Sequence, residues 1–130
     1  MEKIRIIQRA VIKKGGKVLI IKRAERDNWK SGFWDIPGGG VNPNEDYISA
    51  IKREVLEEVN LNIDLIKPLY TWEVYRGDGH YAIGISYLSK FLIGEVSLSE
   101  EHSEYKWVSP KEINKFKFVD GVRESIVKSF

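Results

Sequence analysis

Apolar and β-branched residues dominate two stretches near the start of the chain, residues about 3–13 (IRIIQRAVIKK) and 17–22 (KVLIIK), and predict two strands. Gly15-Gly16 between them is a hairpin signal. The polar loop RAERDNWKSG follows, then FWDIPGGG, where Pro37 and three glycines are expected to end any regular element. The period then changes from strand to helix. At about 100° per residue, Ile48, Ile51, Val55 and Val59 make an apolar stripe about 80° wide. Two starts fit this helix: Asn42-Pro43-Asn44-Glu45 has the capping-box pattern with proline at N1, and Asp46 is a later N-cap. Asn60 suits the left-handed position that closes it. Residues 61–76 read as one or two strands, Gly77-Asp78-Gly79 as a turn, and 80–93 (HYAIGISYLSKFLI) as a long strand. In that strand Tyr81, Ile83, Ile85 and Tyr87 share one face, with Ala82, Gly84 and Ser86 on the other. YKWV is a short strand, SPKEINKF opens with a serine cap and a proline, and DGVRESIVKSF reads as a closing helix. The pattern predicts a mixed α/β sandwich, with residues 1–130 as a single domain.

The helix carries a feature its own stability does not explain. Glu54, Glu57 and Glu58 sit at i, i+3 and i+4, where like charges repel, and near a C-terminus that prefers cations. Their arc adjoins the apolar stripe, so the carboxylates point along the edge of the buried face into a cleft. A partly buried carboxylate cluster is costly unless something positive occupies it. Oxygen ligands suit hard cations, magnesium or manganese above all. Taken alone, REVLEEV also fits a solvated surface helix paired through Lys52 and Arg53.

Composition narrows the partners. The chain has no cysteine, which excludes disulfides, thiolate metal sites and cysteine catalysis. A net charge of +2 is too mild to argue for a nucleic-acid surface, yet it does not oppose small anionic ligands. The charged N-terminus MEKIRIIQRAVIKK is not a signal peptide, and no apolar run approaches bilayer length. A cytoplasmic protein with no membrane partner, monomeric or homodimeric, is the expectation.

From Gly39 the chain reads G-(5 residues)-E-(7 residues)-R-E-V-L-E-E-V-N-L, which resembles the Nudix box, G-x5-E-x7-R-E-U-x-E-E-x-G-U with U aliphatic. Gly39, Glu45, Arg53, Glu54, Val55, Glu57, Glu58 and Leu61 fall in register, and Asn60 replaces the terminal glycine. Outside the box the likeness is looser, through KRA, HYAIGISYLSK and EEHSEYKWVSPKEI.

The resemblance implies an α/β/α sandwich with a mixed central sheet. It implies hydrolysis of a phosphoanhydride in a nucleoside diphosphate derivative, with Mg²⁺ or Mn²⁺ as cofactor and a small-molecule nucleotide as partner. It makes Glu54, Glu57, Glu58 and the Gly39 carbonyl metal ligands, with Glu54 or another glutamate as base. Arg53 then orients the glutamates, and Glu45 supports Arg53. Glu101, six residues before Trp107, resembles the extra metal ligand of MutT-type enzymes, with Glu104 as its rival. Arg23 is a candidate phosphate contact. Asp120 is a candidate for reading the base or, alternatively, for capping the closing helix. Tyr75 leaves a diadenosine-polyphosphate substrate open, and Trp29, Trp34 and Trp72 are further stacking candidates. His80 and His102 are expected to be structural or exposed. A nucleoside triphosphate pyrophosphohydrolase is the favoured activity. The alternatives are a diadenosine-polyphosphate or nucleotide-sugar hydrolase, a non-catalytic nucleotide-binding module, and an RNA 5′-end hydrolase.

Overall fold

The computed structural model describes residues 3–25, 30–75 and 79–130. Trp29 and the Gly77-Asp78 part of the expected turn lie outside them. The described residues form a mixed seven-stranded sheet. Its strands are β1 (Lys3–Lys14), β2 (Lys17–Arg23), β3 (Trp34–Asp35), β4 (Gly38–Gly40), β5 (Asn62–Tyr75), β6 (His80–Ile93) and β7 (His102–Val108). One path runs β3-β2-β1-β6-β5, with β4 on β1 and β7 on β2. β1 and β6 run parallel, and the other pairings are antiparallel. Helix α1 (Tyr47–Val59) covers one face and α2 (Val122–Lys128) the other, giving the expected sandwich.

Period-2 alternation builds both cores. Ala10, Ile12, Leu19 and Ile21 face Ile51, Val55 and Val59 of α1. Val11, Val18 and Ile20 face the other way, into a cluster with Trp34, Val122 and Ile126. Gly15 and Gly16 have φ of 58° and 77°, and both occupy the left-handed region that the tight β1–β2 hairpin needs. No helix among the described residues is long and apolar enough to cross a membrane.

Two local expectations change, and two others become specific. The glycine run does not end regular structure: Gly38, Gly39 and Gly40 pair with Arg9, Gln8 and Ile7 of β1. A Cβ on Gly38 would stand 1.9 Å from the Gln8 carbonyl oxygen, so only glycine permits this approach. Ile48 is exposed, and the buried stripe of α1 is completed instead by Ala50 and Glu58. Residues Pro110–Lys115 form a 3₁₀ helix, entered by a Ser109 amide that donates to Glu112 at 3.1 Å. Asp46, not Asn42, is the N-cap of α1, accepting from the Ser49 amide at 2.9 Å.

Asn60 closes α1 at φ 62°, ψ 32°, in the left-handed conformation expected. Its side-chain amide also donates to the Glu95 carbonyl at 3.3 Å, a bond glycine lacks. Asn60→Gly exchanges that exposed bond for a relaxed backbone and is expected to change stability by under about 0.5 kcal/mol. Asn60→Val is expected to cost about 1–2 kcal/mol through strain at positive φ. Thermal melts of the two variants check both values.

Candidate active site

The carboxylates of α1 form a gradient of burial along one helix edge. Glu58 is 9% exposed, Glu54 is half-buried, and the Glu57 side chain is 59% exposed. Glu58 Oε1 accepts from the Gly38 amide at 2.7 Å, so the glycine strand and the helix meet at this residue. Burial pushes its carboxyl up to about 8 against the opposing pull of that amide. Glu54 packs against Gly39: a Cβ there would come within 2.5 Å of its carboxylate. Burial also raises Glu54, and Arg53 opposes the rise.

Arg53 ties the outer carboxylates together. It grips Glu45 with two hydrogen bonds of 2.7 and 2.9 Å, and its Nη1 lies 3.1 Å from Glu54 Oε1 and 3.3 Å from Glu57 Oε2. Glu45 is held below the usual carboxylate range by the Arg53 hydrogen bond, and Arg53 is raised by the same contact. This planar fork fixes Glu54 from behind, the arrangement for which arginine is better suited than lysine.

The segment before β7 brings in the remaining groups. Ser97 and Ser99 donate their amides to the Val59 and Glu58 carbonyls at 3.1 and 3.0 Å, capping the open end of α1. Glu101 and His102 follow. One ligand atom from each of Glu58, Glu101 and His102 falls within 4.8 Å of the others. His102 Nδ1 is buried without a hydrogen-bond partner and lies 3.9 Å from Glu58 Oε2, too far for a direct bond. Burial holds His102 below the usual imidazole range, so the contact is not an ion pair. A buried, unpartnered nitrogen beside two carboxylates fits a divalent cation in both charge and donor type.

These groups open onto a cleft of about 370 Å³. Gly39, Glu54, Glu58, Glu101 and Arg23 line it. Glu57, Arg53, Glu45, Tyr75 and Asp120 do not. Tyr75 is exposed, its ring centroid 6.5 Å from that of the cleft residue Tyr81. Asp120 Oδ1 lies 3.9 Å from Lys30 Nζ. It is not a cap: Gly121 takes the N-cap position of α2 with no side-chain hydrogen bond. Glu104 is placed beside Lys106 at 3.6 Å, off the cleft. Trp34 is buried edge-on against Phe116. Trp72 is buried too, packed on Gly84 and Gly121, and it lines the cleft. Of the two histidines, His80 is exposed and His102 buried, and both line the cleft.

Three charged cleft residues, Arg9, Asp35 and Arg5, do not stand out in the sequence motifs. Arg9 and Asp35 are buried and bonded at 2.8 Å. The signal available was charge inside otherwise apolar strand segments, RIIQRAVI and FWDIP.

Known proteins agree with this architecture. A family profile described as NUDIX domain matches residues 5–129. An RNA pyrophosphohydrolase of Pelagibacter ubique is 33% identical over 122 residues, covering 79% of this chain and 74% of that protein. The nucleoside triphosphatase NudI of Escherichia coli is 28% identical over 114 residues, covering 79% and 80%. Among solved structures, a MutT protein from Methanosarcina mazei Go1 superposes with a TM-score of 0.85 at 28% identity, over 98% of this chain and 94% of that one. With the glutamate helix, the glycine strand and the sandwich all in place, the chain belongs to the Nudix family and is a MutT-like Nudix hydrolase.

Proposed function

We propose that this hydrolase is a magnesium- or manganese-dependent pyrophosphohydrolase that converts a nucleoside triphosphate and water to the monophosphate and pyrophosphate. The observation that carries the reading is the convergence of Glu54, Glu58, Glu101 and the unpartnered His102 nitrogen on one cleft. Glu58, Glu101 and Glu54 would hold the cation, with Glu57 and the Gly39 carbonyl as the further ligands that the box supplies. When bound, such a cation offsets charge on the phosphate oxygens and makes attack by water at phosphorus easier.

The chain's own residues do the rest. Glu54, kept in place by Arg53 and Gly39, is the group that would take a proton from the attacking water. Water's oxygen forms the new bond to phosphorus, the anhydride P–O bond breaks, and pyrophosphate departs with the electron pair. Arg23, which lines the cleft at the end of β2, would neutralise phosphate charge. Glu45 keeps Arg53 from swinging away.

The name of the Pelagibacter relative favours a second reading, in which the triphosphate is the 5′ end of an RNA. A panel of nucleoside triphosphates, diadenosine polyphosphates, nucleotide sugars and 5′-triphosphorylated RNA, each incubated with magnesium, decides between them. Pyrophosphate released fastest from free triphosphates is the expected result. Preferential release from RNA transfers the assignment to the second reading, and no turnover of any substrate leaves a binding module. In the same assay Asp120→Asn is expected to shift the ratio of kcat/KM between guanine and other nucleotides by about tenfold. Because Asp120 is no cap, its melting temperature should stay within about 1 °C. Unchanged ratios mean that the base is read elsewhere.

A further inference from the structure

The sheet wall of the cleft holds a buried charge that the proposed reaction does not use. Arg9 stands on β1, 7% exposed, and lines the cleft. Its Nε donates to Asp35 Oδ1 at 2.8 Å, and its guanidinium carbon lies 5.3 Å from the centroid of the Trp72 ring. The plane of the fork is therefore fixed along one edge and against one aromatic face.

Each support is itself fixed. Asp35 Oδ1 also accepts from the Ile36 amide at 2.8 Å, and Trp72 Nε1 donates to Ser86 at 3.1 Å. Burying an arginine is costly unless it is paired. Arg23 Nη1 also lies 3.8 Å from Asp35 Oδ2. Arg5, four residues before Arg9 and on the same face of β1, adds positive charge to the same wall. The hydrogen bond to Asp35 occupies only Nε of Arg9, and guanidinium has donors on both terminal nitrogens as well. That fork matches the oxygens of a phosphate.

We propose that Arg9, held by Asp35 and Trp72, is a phosphate receptor that grips the nucleotide's phosphate chain from the sheet side, opposite the glutamates of α1. Asp35 is its positioning residue. The inference rests on the reading of this cleft as a nucleotide pyrophosphohydrolase site.

Inorganic tripolyphosphate, which carries no base or ribose, is the probe. Its binding is measured by calorimetry at fixed magnesium, on the wild-type chain and on Arg9→Gln. The double variant Arg9→Gln with Asp35→Asn is measured beside them. The double variant removes both charges of the Arg9–Asp35 pair together, so net charge is unchanged. It keeps the test alive should Arg9→Gln fail to fold. The expected result is a loss of tripolyphosphate affinity of tenfold or more in every variant that melts cooperatively. KM for the best nucleotide should rise by a similar factor, with kcat changed less than threefold. A staple would lower the melting temperature without touching either quantity. A loss under tenfold in the double variant overturns the receptor. A wild-type chain that binds tripolyphosphate through Arg9 but hydrolyses no nucleotide overturns the pyrophosphohydrolase reading and leaves the receptor standing.

Discussion

Glu58→Gln is expected to lower kcat/KM by about 10²–10³, the scale of removing a well-placed electrostatic group. It should do so while making the metal-free protein more stable in alkaline solution. Glutamine keeps the acceptor for the Gly38 amide, so the glycine strand stays in register with the helix. What changes is the cost of charge. Burial pushes the Glu58 carboxyl up from its ordinary 4.5 to about 8. Between those values the folded chain binds a proton that the unfolded chain has released. The stabilising contribution is therefore complete below about pH 4.5 and lost as pH rises through about 8. Melting curves of the metal-free wild type from pH 5 to 9 should fall by several degrees more than those of Glu58→Gln. Parallel curves would mean that Glu58 stays neutral or finds another partner. Glu57→Gln is expected to cost less activity than Glu58→Gln, because the Glu57 carboxylate is 59% exposed and off the cleft wall.

The second large effect separates two neighbouring glycines. Gly38→Ala puts a methyl group 1.9 Å from a backbone oxygen of β1, which cannot move without breaking the β1–β4 pairing. A cost of about 3 kcal/mol or more follows, lowering the melting temperature by about 10 °C or more. Gly39→Ala meets only the end of the Glu54 side chain, which can rotate away. It is expected to fold with a loss of about 1 kcal/mol or less and to lose about 10²-fold or more in turnover, because the displaced carboxylate is the proposed base. Circular dichroism melts beside nucleotide turnover check the contrast. Equal melting temperatures for the two variants would refute the packing argument.

The sequence made the helix legible because a single element carries the whole pattern. Val55, Val59 and the three glutamates announce a period and a face within a few residues, and Asn60 announces the end. The sheet-side half of the site was illegible for the opposite reason. Arg9, Asp35 and Trp72 belong to three strands, and pairing registers alone bring them together. Gly38–Gly40 reads as a break in the sequence because glycine has no strand propensity of its own. Those residues become a strand only because β1 offers them an unpaired edge and no side chain blocks the approach. Ile48 shows the limit of periodicity from another side. It lies on the predicted stripe, but close to the helix N-terminus, and it is exposed. Asp120 failed as a cap because Gly121 itself takes the N-cap position.

The link between Asn60, Ser97, Ser99 and the end of α1 makes chain length between Gly94 and Glu101 part of the site. The Asn60 amide holds Glu95, and the open helix carbonyls hold Ser97 and Ser99, so successive short spans are measured out against the last helical turn. A residue inserted between Ser99 and Glu101 would leave every core contact available. It would nevertheless carry Glu101 and His102 past their places opposite Glu58. The segment behaves as a ruler: Val96 and Leu98 pack on the core beneath α1, and the number of residues before Glu101 sets where that carboxylate falls.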